Sequence, residues 1–76
     1  MSQRQPRITA AELVRALERA GWVEQRRSGS HAQFRHPSRP GRVTVPMHAR
    51  VILNPKTLAT ILDQASMTVE ELRDLL

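Results

Sequence analysis

The chain has 76 residues with one Trp, one Phe, no Tyr and no Cys, and carries a net charge of +5. That length holds one domain with a small core, and the missing cysteines exclude both a disulfide framework and thiolate-bound zinc. The charge is segregated: between residues 25 and 62 stand Arg26, Arg27, Arg35, Arg39, Arg42, Arg50 and Lys56 with no Asp or Glu, the footprint of a polyanionic partner.

Residues 1–7 read as a mobile N-terminal tail and residues 8–76 as one domain. Thr9-Ala10-Ala11-Glu12 is a capping box, in which the Thr9 hydroxyl accepts from the Glu12 N–H and the Glu12 carboxylate reaches back. Ile8 and Leu13 are placed as its hydrophobic staple. Leu13, Val14, Leu17 and Ala20 then recur at helical spacing, and Gly21 is placed to end the helix in the left-handed conformation. A strand is expected over 22–27, a tight turn at Ser28-Gly29, and a second strand over 30–36. In that second strand Ala32 and Phe34 share one face, and His31, Gln33 and Arg35 share the other. Residues 37–41 are a loop by composition. A third strand follows over 42–45, with Val43 and Val45 on one face, Arg42 and Thr44 on the other, and Pro46 at its end.

Each strand reads as half apolar, which suits a sheet with one face covered and one open. Residues 47–53 form a connection that contains Val51-Ile52-Leu53. Asn54-Pro55 opens a second helix as N-cap and first helical residue, with Leu58, Ile61, Leu62 and Ala65 as its apolar stripe. Thr68-Val69-Glu70-Glu71 is a second capping box, stapled by Met67 and Leu72, and opens a short terminal helix. The expected class is α+β: a three-stranded antiparallel sheet with helices on one face.

No apolar run approaches the roughly 18 residues of a membrane span, and the N-terminus lacks the apolar core of a secretory signal. A cytoplasmic protein with no membrane partner is the expectation. Two aromatic residues cannot stack several bases, so phosphate contacts must dominate any binding of nucleic acid. With Phe34 in the core, strand alternation turns His31 to the open face, near Arg35 and the arginines of the preceding strand. Histidine changes protonation near neutral pH, as general acid–base work requires. By position alone, a plain surface histidine is the simpler reading. Ser30 has no nearby carboxylate to complete a triad, which argues against a serine nucleophile. His31, His36 and His48 fall on different faces without a carboxylate, which argues against a metal. His36 reads as structural.

The helix leading into Ala20-Gly21-Trp22, the Gly29-Ser30-His31 motif followed by Phe34, and Val43-Thr44-Val45-Pro46 with His48 form a recognisable set. With Pro55, Thr57-Leu58, Ile61-Leu62 and Gln64-Ala65 at matching spacing, the chain from Ile8 onward resembles the HicA family of small toxins from bacterial toxin–antitoxin systems. The resemblance implies an α-β-β-β-α fold similar to double-stranded-RNA-binding domains. It also implies an endoribonuclease that cleaves mRNA and halts translation, neutralised by a HicB-like antitoxin and monomeric when free of it. The family's catalytic histidine maps onto His31. Arg26, Arg27, Ser30, Arg35, His48 and Lys56 are the expected RNA-binding residues, with no metal and no cofactor. Four residues make three departures from the family pattern: Lys56 and Ser66 stand where Gly is usual, and the pair Val51-Ile52 where charged residues are common. A non-catalytic RNA- or DNA-binding module is the alternative, because fold and charge suffice for it.

Overall fold

The computed structural model describes residues 5–48 and 50–76. Helix α1 (Ala10–Arg19) leads into strands β1 (Val23–Ser28), β2 (His31–Arg35) and β3 (Val43–Pro46), followed by helices α2 (Pro55–Gln64) and α3 (Val69–Leu75). The strands form one antiparallel sheet in the order β1-β2-β3. This is the α+β architecture that the sequence pattern predicts.

The helix ends follow from their capping residues. The Thr9 hydroxyl accepts from the Glu12 N–H at 3.2 Å, and the Glu12 carboxylate accepts from the Thr9 N–H at 2.9 Å. Thr68 and Glu71 repeat the pair at α3, and the Asn54 side chain caps α2 by accepting from the Lys56 N–H at 2.8 Å. Each such cap is worth about 1 kcal/mol. Helices α1 and α2 end in the same Schellman geometry. After α1 the Trp22 N–H reaches Leu17 O and the Gly21 N–H reaches Glu18 O, both at 3.0 Å. After α2 the Met67 N–H reaches Leu62 O at 2.9 Å and the Ser66 N–H reaches Asp63 O at 3.1 Å. The motif requires a left-handed residue, and Gly21 (φ +98°) and Ser66 (φ +52°) fill that place.

Helices α1 and α2 both pack on β3, and α3 packs on α1. Leu13 and Leu17 of α1, Ala32 and Phe34 of β2, Val43 and Val45 of β3, Leu58 and Ile61 of α2, and Leu72 of α3 are all buried together with Trp22. Each large member contributes about 1.5–3 kcal/mol through burial. His36 ties the end of β2 to the end of α1. Its Nδ1 accepts from the Ser38 N–H at 3.0 Å, so the proton sits on Nε2 and is donated to Ala20 O at 2.9 Å. The ring also meets Trp22 edge-on at 5.2 Å. The expected structural role of His36 therefore holds.

Four sequence-based expectations need correction. Trp22 precedes β1 and belongs to the cap of α1, where its N–H is used. The hairpin turn is Gly29-Ser30 rather than Ser28-Gly29, because Ser28 pairs with His31. Gly29 has φ +58°, as the first loop residue of a type II′ hairpin turn requires. Ser30 accordingly lies in the turn, outside β2. Lastly, β1 is exposed along its whole length rather than half apolar. It is the edge strand remote from β3, where the helices pack, and its one apolar residue, Val23, stays 60% exposed opposite Arg35. Of the expected N-terminal tail, residues 1–4 lie outside the described residues, while Gln5, Pro6 and Arg7 line a cleft with Ile52, Asn54 and Pro55.

Candidate active site

Register places the side chains of the open face in rows. Residues directly opposite in an antiparallel pair point to the same side. His31, at the start of the central strand, stands between Ser28 on β1 and Pro46 on β3. The next row is Arg26, Gln33 and Thr44, and beyond it Arg35 faces Val23. All of these lie opposite to the buried Ala32 and Phe34. His31 is exposed, and no hydrogen bond to a described residue holds its ring. Both ring nitrogens are thus open to a ligand.

Arg26 reaches this face because the β1–β2 register shifts between Glu24 and Arg26. Glu24 faces Phe34, Gln25 is the extra residue, and Arg26 faces Gln33. Strict alternation would have sent Arg26 to the same side as Glu24; the bulge turns it over. Its Cα is diagonal to His31, about 7–8 Å away in such a pairing, within reach of a guanidinium. Arg35 lies four residues along β2 from His31, about 13 Å at strand rise.

Arg27 is not brought to this face. It pairs with Ala32, on the helix side of the sheet, and donates twice to the Glu24 carboxylate at 2.9 and 3.0 Å. That hydrogen-bonded contact holds the Glu24 carboxyl below the usual glutamate range and raises the Arg27 guanidinium further. Ser30 contributes its backbone: its carbonyl accepts from the Met47 N–H, which clasps the hairpin turn to the end of β3. His48 and Lys56 lie off the sheet face. His48 lines a cleft with Pro46, Val51, Asn54 and Thr57. Lys56 is exposed in the first turn of α2, whose N-terminal N–H groups carry partial positive charge.

The loop between them is tied at both ends. The Val51 N–H reaches His48 O at 3.3 Å, Arg50 takes φ +64°, and the Leu53 N–H reaches Ile8 O at 2.8 Å. Among the described residues, no three His, Cys, Asp or Glu converge in a way that could hold a metal ion, and no helix is long and apolar enough to cross a membrane.

Gln33 and Thr44 are not among the site residues expected from sequence, although alternation puts Gln33 on the face of His31. Both are half-buried polar side chains in the row next to it. The Arg26 flip had no sequence signal, because nothing in Val-Glu-Gln-Arg-Arg-Ser marks where a bulge falls.

No curated protein matches the chain. A family model described as the HicA toxin of bacterial toxin–antitoxin systems matches residues 10–67, from the first residue of α1 through β1, β2, β3 and α2 to the cap that follows it. On that match the chain belongs to the HicA toxin family.

Proposed function

We propose that this toxin is a metal-independent endoribonuclease that cleaves mRNA at the open sheet face and so inhibits translation, with His31 as its catalytic residue. The observation that carries this reading is the placement of His31. An exposed imidazole with no hydrogen bond to a described residue stands at the head of the central strand, on a face with Arg26, Gln33 and Arg35, within a stretch that has seven Lys/Arg and no acid. With no cluster of metal-ligating groups among the described residues, the natural nucleophile is the 2′-hydroxyl of the RNA itself.

His31 takes the 2′-hydroxyl proton as general base, or supplies a proton to the leaving oxygen as general acid. The 2′-oxygen attacks phosphorus, the P–O5′ bond breaks, and the departing 5′-oxygen is protonated. The products are a 2′,3′-cyclic phosphate and a 5′-hydroxyl. Arg26 offsets charge on the non-bridging oxygens of the reacting phosphate, and Arg35 and Lys56 hold neighbouring phosphates. One acid–base group contributes about 10²–10⁴-fold, so the enzyme is slow, which a toxin tolerates because each cut message is lost. The proposed setting is the cytoplasm, with a HicB-like antitoxin as neutralising partner and a monomeric toxin when that partner is absent.

Expression in cells tests the reading. Wild type should stop growth and fragment mRNA, and His31→Ala should do neither while remaining folded. Growth arrest by His31→Ala with intact RNA would point instead to the non-catalytic RNA- or DNA-binding module.

A further inference from the structure

The cleft beside His31 offers something the flat sheet face does not. It is lined by Pro46, His48, Val51, Ile52, Asn54 and Thr57 and encloses about 300 Å³, at the small end of ligand clefts. Its walls are apolar, and Val51 and Ile52 remain 58% and 42% exposed. Its polar lining residues are His48, Asn54 and Thr57, and the Asn54 side-chain oxygen is engaged by the Lys56 N–H.

Two features select the occupant. Pro46 forms one wall and is the direct cross-strand partner of His31, so whatever fills the cleft adjoins whatever is bound at His31. The surroundings are cationic: the exposed Arg50 and Lys56 are close in sequence to the lining residues Val51 and Asn54, and no carboxylate stands from residue 25 to 62, which favours a segment of an anionic chain. The phosphates of that chain cannot enter apolar walls, and a duplex does not fit this volume. A flat ring with polar edges does.

We propose that the cleft takes a single unpaired nucleobase adjoining the phosphate at His31, so that the RNA is single-stranded at the cleaved step. This rests on the reading of His31 given above. The chemistry gives the cleft a purpose. Attack by the 2′-oxygen needs it opposite the leaving 5′-oxygen, an alignment that a stacked helix does not supply. Drawing one base out of the stack permits it. The apolar pair Val51-Ile52 then serves as a wall of the base site.

The test uses full-length His31→Ala protein, which binds RNA without cutting it, and labelled single-stranded RNA hexamers. In one series an abasic ribose is placed in turn at each position. Thr57→Met is added to fill the cleft, and Val51→Ser to strip its apolar wall, with thermal melting to establish that both fold. Each should weaken binding of the intact hexamer about tenfold, the loss expected for one base contact. Each should leave unchanged the binding of the hexamer whose abasic site falls at the cleft. Equal weakening of intact and abasic hexamers by both variants, or weakening of neither, overturns the proposal. Cleavage by wild-type protein keeps the two ideas apart. Base-dependent binding without His31-dependent cleavage retires the catalytic reading and leaves the base site. Cleavage with binding indifferent to these variants does the reverse.

Discussion

Gly21→Ala is a demanding test of how the site is held, because two independent costs meet at one atom. Gly21 has φ +98°, and a side chain in left-handed conformation costs about 1–2 kcal/mol. A stiffer unfolded chain offsets about 0.4–1 kcal/mol of this. The added Cβ would also lie 2.7 Å from His36 Nε2, so the ring must move. Moving it breaks the bond to Ala20 O, worth about 1 kcal/mol, and disturbs the edge contact with Trp22, worth about 0.5–1.5 kcal/mol. The expected net loss is about 2–3 kcal/mol. Urea denaturation should show a lower midpoint at unchanged slope. In a His36→Ala background the same substitution should cost only the backbone part, so a double-mutant cycle isolates the ring contact. A loss below about 0.5 kcal/mol in the wild-type background, or no coupling between the two positions, would refute this account of the α1–β2 junction.

Ser66 offers the opposite substitution: Ser66→Gly relieves a left-handed serine at the end of α2 and should raise stability by about 0.5–1 kcal/mol, read as an upward shift of the urea midpoint. Acid sensitivity should track the two capping boxes. Glu12 and Glu71 are held below the ordinary value of 4.5, chiefly by accepting the Thr9 and Thr68 backbone N–H groups. Their folded pKa is depressed, so the stability they give is present above 4.5 and fades as pH falls through the lowered values. The Glu12→Gln and Glu71→Gln pair should therefore flatten the stability curve below pH 4.5, as followed by circular dichroism. With Arg26, Arg35 and Lys56 each holding one phosphate, log affinity for single-stranded RNA should fall against log salt with a slope of about −2, and Lys56→Ala should reduce that slope by about 0.7. Binding indifferent to salt would contradict the phosphate assignment.

Much of the fold was legible because each element carried its own punctuation. The Thr9–Glu12 and Thr68–Glu71 boxes, Asn54-Pro55 and Gly21 mark helix ends through local hydrogen bonds, and these form as the residue types require. Alternation in His31-Ala32-Gln33-Phe34-Arg35 assigned faces correctly, since burying Phe34 fixes the side to which His31 turns. Strand β1 was harder. Its residues carry no buried pattern, so pairing to β2 alone sets its register, and the bulge at Gln25 cannot be read from composition. That one extra residue decides that Arg26 joins His31 while Arg27 turns to Glu24, against the expectation that both arginines flank the histidine. The cleft at Pro46 and Val51 was invisible for a similar reason: it depends on Leu53 joining Ile8 across the chain. Ser66 departs from the family's usual glycine, and the left-handed backbone there explains why glycine is the easier residue.

The central claim is that His31 performs metal-free cleavage of RNA, and end analysis of a digest by purified toxin tests it most directly. In excess EDTA, wild type should cut single-stranded RNA to fragments that end in 2′,3′-cyclic phosphate and begin with 5′-hydroxyl. His31→Ala, with an unchanged melting curve, should be slower by about 10²-fold or more. Undiminished cutting by His31→Ala, or loss of cutting by wild type in EDTA, would contradict the account.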